Sequence, residues 1–424
     1  MSKSLLSIIS NLIFIINPFS WLLIGFAEVL NNKKEAYFKL SVVLGLIGFT
    51  IFPWGDGYER FLVFEKSQNF NLLGFIEYGI AQGDVFFYLA AFTLKYFDID
   101  YQYMQFLFVF LGFLILFSSF QFLLKKIRVQ ERLIILLILL SVISLISLAN
   151  NMRYMLATIL SFYSIYLYEV KKNRTSFFVF FILGIATHFY SLILLSIYLL
   201  TYFHPKKKYA IQISVLFFIS FSLVAPFIIN FIATYLASGD TLASKKIASY
   251  LLGGDGLITK MVSSTPQLIH NIVLQLPLFT IAFYFIFNGD YKCKSTVFFI
   301  LLFSISVSII YFYSVYLRLS YFCLLYGIYL IAIKWNEIRT RKIFVYFVLI
   351  FSILFSLAQT IYFQRIILRD EIYLVNNETI CVISKPLFMI DECIYSDSEI
   401  HLGNTEFRKL KEESRQRTLK VISN

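Results

Sequence analysis

The chain has 424 residues and a formal net charge of +12, yet only 15% of its residues are charged and 59% are hydrophobic. Soluble domains carry about 25% charged residues, so this composition excludes a soluble fold and removes nucleic acid as the partner of the basic residues. Apolar runs near or above the ~20 residues of a bilayer span recur, and their continuity excludes a transmembrane barrel. We therefore expect an all-α polytopic membrane protein with about 11 to 13 transmembrane helices.

The first apolar run, 5–30, is interrupted at Asn17-Pro18, and we expect it to cross the membrane once. A second span over 40–52 leads into a net acidic stretch that ends at Asp84. The next apolar run, 85–97, is too short to cross the hydrocarbon core at ~1.5 Å per residue. We expect 55–101 to form a polar loop in which 85–97 is an interfacial or re-entrant helix.

Thr187-His188 lies in the middle of the apolar run 176–203, which would be about 40 Å long as a single helix. That length exceeds one crossing, so we expect two half-length helices, a short re-entrant hairpin near His188. A second polar loop is expected at 238–264, and residues 369–424 form a polar C-terminal tail. Residues 1–368 are expected to be the transmembrane domain. Its further spans are predicted over 103–124, 133–149, 152–168, 209–236, 267–287, 295–317, 319–333 and 343–363.

Positive charge predicts the orientation, because short cytoplasmic loops are enriched in Lys and Arg. Nineteen such residues lie in six loops, against nine on the other side outside the tail. The six loops are 31–39, 125–132, 171–174, 204–208, 289–294 and 334–342. Placing them in the cytoplasm puts the loops 55–101 and 238–264 and the tail on the external face. Cys381 and Cys393 share that tail, where an oxidising exterior would allow them to pair.

Five ionisable residues fall on this external face, each near the end of an apolar run: Asp56, Glu77, Arg153, His188 and Arg318. A charge inside a membrane segment is costly and is by default a hypothesis of function. The alternative is that Arg153 snorkels to the headgroups and His188 is a satisfied core histidine. Independent snorkelling residues would scatter over both faces, so the shared face favours one site.

These residue types suit chemistry on a lipid-linked diphosphate. The forked guanidiniums of Arg153 and Arg318 match phosphate oxygens. His188 or Asp56 would take the proton from an attacking hydroxyl, and His188 is favoured because its ordinary pKa lies near neutrality. Glu77 would orient a sugar hydroxyl or pair with an arginine. This reaction needs neither a metal nor a cofactor, and the chain has no Walker A motif that would indicate ATP.

The landmarks of residues 20–335 resemble those of the EpsG-like branch of the bacterial Wzy polymerases, which build O-antigen and other surface polysaccharides. In chain order they are GFAE (Glu28), NNKK, FPWGDGYERF (Asp56, Tyr58), FIEYG (Glu77), NNMRYMLA (Asn150, Arg153), ATHFYS (His188) and YLRLSYFCLLYG (Arg318, Ser320, Tyr321, Phe322). The tail beyond Arg369 has no counterpart in this pattern.

The resemblance implies a GT-C-like glycosyltransferase of the bacterial inner membrane, with its active site facing the periplasm. Donor and acceptor would be undecaprenyl-diphosphate-linked oligosaccharides, and Tyr58, Asn150 and Tyr321 would contact their sugars. Membrane lipid and a chain-length regulator are the further partners. Three alternatives stay open: a ligase for lipid-linked glycans, a flippase or transporter of them, and a structural or sensory protein that tolerates changes at these residues.

Overall fold

The structure is a computed structural model that describes residues 3–53, 56–67, 71–203, 208–237, 265–310, 313–367, 383–386, 389–390 and 393–405. The regular elements of these ranges are all helices. The expected loop 238–264 and most of the tail, Cys381 included, lie outside the described residues.

The helices of the first half are α1 (Lys3–Ile16), α2 (Pro18–Leu30), α3 (Lys34–Phe49), α4 (Asp56–Lys66), α5 (Leu72–Gln82), α6 (Val85–Tyr96), α7 (Tyr101–Leu124), α8 (Val129–Val142) and α9 (Leu145–Asn150). Those of the second half are α10 (Met152–Glu169), α11 (Arg174–Thr187), α12 (Ser191–Phe203), α13 (Lys208–Ala237), α14 (Thr265–Asn288), α15 (Lys294–Ser308), α16 (Tyr313–Ile333), α17 (Trp335–Ile338) and α18 (Lys342–Ile367).

Helix α10 is central to the bundle, with α7, α9, α11, α12 and α16 packed around it. Phe162, fully buried at its middle, stacks on Phe120 of α7 at 6.0 Å and meets the edge of Tyr329 of α16 at 5.4 Å between ring centroids. Packing on several sides holds the two ends of α10 in place. Arg153 lies in its first turn and Glu169 is its last residue.

The carboxylate of Glu169 fastens the C-terminal end of α10 to three other helices. It accepts hydrogen bonds from Ser295 of α15 and Tyr326 of α16, each at 2.8 Å, from Tyr329 at 3.3 Å and from Tyr198 of α12 at 3.4 Å. A partly buried carboxylate needs such donors, since removing a charge from water without them is costly. This cluster therefore fixes one end of the bundle.

The chain reverses direction at His188, as the sequence predicts. Phe177 near the start of α11 and Tyr198 in the second half of α12 have ring centroids 6.2 Å apart. One straight helix would separate these positions by about 30 Å. His188 itself has an extended backbone (φ −164°, ψ 128°) that ends α11. Helices α11 and α12 therefore form a helical hairpin.

The expectation of a single crossing over 5–30 is wrong, because the chain also folds back at Asn17. Ser10 of α1 donates to Glu28 of α2 at 2.9 Å, and the Trp21 indole donates to Ser10 at 3.1 Å. Asn17 caps α2 by accepting from the backbone N–H of Ser20 at 2.9 Å. Proline at the first position of α2 suits a helix start, where its missing N–H would have no helical partner.

The stretch 55–101, expected as a polar loop, contains the three short helices α4, α5 and α6. Aromatic contacts hold them in place: Phe61 of α4 meets Tyr101 of α7 at 5.6 Å, and Phe75 of α5 meets Tyr88 of α6 at 5.2 Å, between ring centroids. Helix α6 has 12 residues, or about 18 Å. It is too short for a full crossing, as the sequence predicts.

This architecture is that of a helical membrane protein. Tyr101–Leu124 and Val315–Ile333 are the described helices long and apolar enough to cross a membrane by themselves. Large apolar side chains elsewhere face outward, among them Phe227 at 75% and Phe231 at 76% exposure on α13. Such surface suits lipid rather than water. The expected count of about 11 to 13 crossings stays a prediction.

Replacing Glu169 with Ala should lower the free energy of unfolding by about 3 kcal/mol, because buried hydroxyls left without an acceptor cost ~1–3 kcal/mol each. Glu169→Gln keeps one acceptor oxygen, so it should lower the free energy of unfolding by less than Glu169→Ala does. Unfolding in detergent micelles measures both. Glu337→Ala, at an exposed position, serves as the control, and an equal effect of the two alanine variants would contradict this role of Glu169.

Candidate active site

A buried ion pair between Arg153 and Asp84 forms the centre of the candidate site. Gly83 ends α5 with a positive φ of 74°, and Asp84 follows at the N-terminal cap position of α6. The Asp84 side chain makes no capping hydrogen bond to α6 and is only 2% exposed, against 19% for Arg153. The carboxylate thus ties the α5–α6 turn to the first turn of α10.

Arg60 of α4 lies beside this pair. The guanidinium carbons of Arg60 and Arg153 are each 5.8 Å from the centroid of the Phe87 ring. The Nε of Arg60 is buried and has no hydrogen-bond partner in the described part of the chain. Asp56, exposed at the start of α4, interacts electrostatically with Arg153. Two cations and two carboxylates therefore share this end of α10.

Arg318, near the start of α16, reaches the same place from the other side of α10. Its guanidinium carbon is 5.6 Å from the ring centroid of Tyr154, the neighbour of Arg153. Tyr154 also interacts electrostatically with Asp56, and Arg318 does so with Tyr190 of the hairpin turn. Within the described residues Arg318 makes no ion pair. Its charge is thus available to an anion at this site.

His188 lies in the hairpin turn that packs against the turn carrying Asp84. A Cβ built on Gly83 would lie 3.3 Å from the ring of Phe189, the residue after His188. His188 is 4% exposed, and its Nδ1 accepts a hydrogen bond from the backbone N–H of Tyr190 at 3.2 Å. With Nδ1 as acceptor, the neutral ring carries its proton on Nε2. In that tautomer Nε2 carries a hydrogen and cannot act as a second acceptor.

Asn150 joins α4 to the break between α9 and α10. A Cβ built on Gly57 would lie 2.1 Å from Asn150 Oδ1, so the approach requires glycine at position 57. The Tyr101 hydroxyl donates to the Gly57 carbonyl at 3.0 Å. Both contacts hold the first turn of α4, and with it Asp56, against the start of α10.

The remaining predicted residues lie apart from the ion pair of Arg153 and Asp84. Glu77 is exposed on α5 and makes no ion pair in the described ranges. Tyr321 lies deeper in α16, where its ring centroid is 6.4 Å from that of Tyr154 and its hydroxyl meets Ser147. Tyr58 turns to the tail: its hydroxyl is 2.9 Å from His401 Nδ1.

The tail segment 393–405 packs on the same end of the bundle. His401 bridges Tyr58 and Glu65, whose carboxylate is 3.2 Å from Nε2. Asn404 donates to the Pro53 carbonyl at 2.8 Å, and Ile400 is fully buried. Cys393 is disulfide-bonded, whereas Cys293 and Cys323 are free. Cys381, the expected partner of Cys393, lies outside the described residues.

The structure brings Asp56, Arg153, His188 and Arg318 to one end of α10, while Tyr58 contacts the tail and Glu77 is exposed on α5. Sequence reasoning missed Asp84 and Arg60 as members of the site. A carboxylate directly before the apolar run of α6 was the available signal for Asp84. The position of Arg60 one helical turn after Asp56 was the corresponding signal for Arg60, since residues four apart share a helix face.

The family model described as the EpsG family matches residues 36–374. This range includes every element of the site except the tail segment 393–405. No curated protein and no solved structure matches the chain.

Replacing Asp84 with Ala should cost about 3–5 kcal/mol of stability, because it leaves the guanidinium of Arg153 buried without its partner. Removing both charges, as in Asp84→Ala with Arg153→Met, should be less damaging than Asp84→Ala alone. Denaturation of the four proteins of this double-mutant cycle measures the coupling. Additive effects of the two changes would contradict a buried ion pair.

Gly57→Ala should destabilise the protein by about 1–3 kcal/mol, the usual cost of inserting a methyl group into a packed contact. Asn150→Ala removes the opposing oxygen, so it should cost less in the Gly57→Ala background than in the wild type. Thermal unfolding of the single and double variants tests this. Gly74→Ala in the first turn of α5 is the matched control, because its Cβ would lie 3.0 Å from the Asn71 side-chain oxygen, against 2.1 Å for the Gly57 Cβ and Asn150.

Proposed function

The chain belongs to the EpsG family, and on this premise we propose that it is a polysaccharide polymerase of the bacterial inner membrane. It joins undecaprenyl-diphosphate-linked oligosaccharide repeats, including those of O-antigen type, by glycosyl transfer at the periplasmic face. A hydroxyl on the terminal sugar of one lipid-linked repeat attacks the anomeric carbon of the donor chain. The bond to undecaprenyl diphosphate breaks, and the polymer grows by one repeat.

One observation carries this proposal: three guanidiniums converge on one end of α10, and Arg153 alone among them has an ion-paired carboxylate in the described residues. Arg318 makes no ion pair, and Arg60 keeps a buried Nε–H without a partner there. A diphosphate leaving group gains negative charge as its bond breaks. Guanidinium donors fixed in advance stabilise that charge more than they stabilise the ground state.

The rigid setting of Arg153 matches this role. Asp84 holds its side chain in one orientation, and the bidentate fork of a guanidinium suits phosphate oxygens. Arg318, reached across Tyr154, would bind the other phosphate group. In this arrangement Asp84 is a positioning residue, whereas Arg153, Arg318 and Arg60 bind the anion.

Asp56 is the proposed base. The sequence favours His188, but the Nδ1 of that ring already accepts the Tyr190 N–H, so the ring cannot take up a proton there without losing that hydrogen bond. Asp56 is an exposed carboxylate beside Arg153 and can take a proton from an acceptor hydroxyl. In this arrangement Glu77 would contact the sugars, and Asn150 would hold α4 in place.

The charge-based orientation supports a periplasmic site. The arginine-bearing end of the bundle also receives the tail segment 393–405 and lies opposite the basic loops 31–39 and 334–342. The partners under this proposal are two lipid-linked repeats, membrane lipid and a chain-length regulator. A GT-C-like catalytic mechanism without a metal or a cofactor is part of the same proposal.

Arg318→Met should reduce polymerisation about 10²–10³-fold, the usual loss when one preorganised donor to a developing anion is removed. The assay uses purified protein in lipid nanodiscs, one undecaprenyl-diphosphate-linked repeat, and gel separation of the product ladder. Asp56→Asn removes the proposed general base, so it should reduce the polymerisation rate ~10²–10⁴-fold. Arg341→Met, at an exposed position in the basic loop 334–342, removes the same charge and should leave the ladder unchanged.

The same assay separates the alternatives. Transfer of one glycan to a different acceptor without a ladder would indicate a ligase, and the absence of any covalent product from folded wild type would indicate a carrier. Long polymer made by the Arg153→Met, Arg318→Met double variant would refute the diphosphate site. Full activity of Asp56→Asn together with loss in His188→Gln would return the role of base to His188.

A further inference from the structure

A cavity of about 690 Å³ lies between α1, α3 and α7, at the opposite end of the bundle from the arginines. It begins at Lys34 in the first turn of α3, whereas Asp56 follows the far end of that helix. The 16 residues of α3 separate the two places by about 24 Å. The cavity is therefore distinct from the proposed active site, and its volume is in the range of small-molecule sites.

A buried ammonium group forms one wall of this cavity. The side chain of Lys39 is 8% exposed, donates to Ser10 Oγ at 3.1 Å and lies 3.9 Å from Glu28. It also lies over the rings of Phe14 and Trp21, at 5.7 and 5.4 Å from their centroids. An ammonium group with so little exposure needs partners, because removing an unpaired charge from water is costly.

The cluster around Lys39 has a surplus of positive charge. Glu28 is already paired with Lys33 at 2.7 Å, so one carboxylate serves two ammonium groups. Lys34 and Glu35 both line the cavity and balance each other. The net positive charge next to the cavity suits an anionic group.

The rest of the cavity lining is polar near the loop 31–39 and apolar deeper in the bundle and toward lipid. Gln121 and Ser118 lie toward the C-terminal end of α7, level with the basic loop 31–39, and Leu114 lies deeper. Phe38 at 49% and Ile15 at 57% exposure open the cavity sideways toward lipid. The combination of a charged mouth and an apolar lateral wall matches an amphiphile rather than a soluble ion.

We propose that this cavity binds an anionic phospholipid from the cytoplasmic leaflet, with its phosphate at Lys39 and Lys34 and an acyl chain along Phe14, Ile15 and Phe38. The cytoplasmic side follows from the basic loops, where anionic headgroups attract lysines. A bound lipid would hold the α1–α2 hairpin against α3 and α7. Soluble glycerol phosphate shares the headgroup chemistry but leaves the apolar wall unfilled.

Native mass spectrometry of the full-length protein tests the proposal by counting retained lipids after addition of phosphatidylglycerol or phosphatidylethanolamine. Phosphatidylglycerol should be retained preferentially, and Lys34→Gln should weaken its binding about fivefold, the effect of one basic residue near anionic headgroups. Ser118→Phe should fill the cavity and weaken binding without altering the charge cluster. Lys125→Gln, at an exposed position outside the lining, should bind like wild type.

Lys39→Met is a further variant, and if it fails to fold, Lys34→Gln and Ser118→Phe decide the question. Equal retention of the two lipids, or unchanged binding in both deciding variants, would overturn the proposal. Displacement of phosphatidylglycerol by equimolar glycerol phosphate would overturn the choice of a lipid over a soluble phosphate ester. The readout is lipid retention, so neither result depends on the polymerase assay.

Discussion

The buried ion pair between Arg153 and Asp84 is the interaction on which the candidate site depends. A guanidinium in the first turn of a central helix needs a counter-charge, because removal of an unpaired charge from water is costly. The carboxylate that meets this need is at the tip of the α5–α6 turn, which also touches the hairpin turn at His188. This electrostatic requirement therefore holds the α5–α6 turn against the start of α10, next to the hairpin turn at His188.

A charged side chain lies at each end of α10, and the two are stabilised by different partners. Glu169 is surrounded by hydroxyl donors from α12, α15 and α16, which leaves little capacity for a ligand and suits a structural role. At the other end, within the described residues, the buried Nε–H of Arg60 has no hydrogen-bond partner and Arg318 makes no ion pair. Charged groups in membrane segments are costly and are by default hypotheses of function, which is why this end of α10 is the proposed ligand site. The tail segment 393–405 adds His401 and Asn404 to the rim of this end.

The sequence alone determined the class of the protein and the identity of most chemical groups. Long apolar runs with few charges allow helices only, and an arginine and a histidine in such runs are conspicuous because lipid cannot solvate them. The hairpin at His188 was predictable because the run 176–203 is too long for one crossing. The family followed from residue types at ordered landmarks, and the match over 36–374 agrees with it.

Tertiary structure alone decided which groups meet. Nothing in the local sequence pairs Asp84 with Arg153 across 69 positions, sets Asn150 against Gly57, or turns Tyr58 away from the site toward His401. Sequence reasoning missed the reversal at Asn17. An apolar run indicates that a segment can lie in lipid, but it does not indicate whether the chain turns back within that run. Contacts between distant segments depend on how whole helices pack, and a one-dimensional pattern of hydropathy and charge carries no information about that packing.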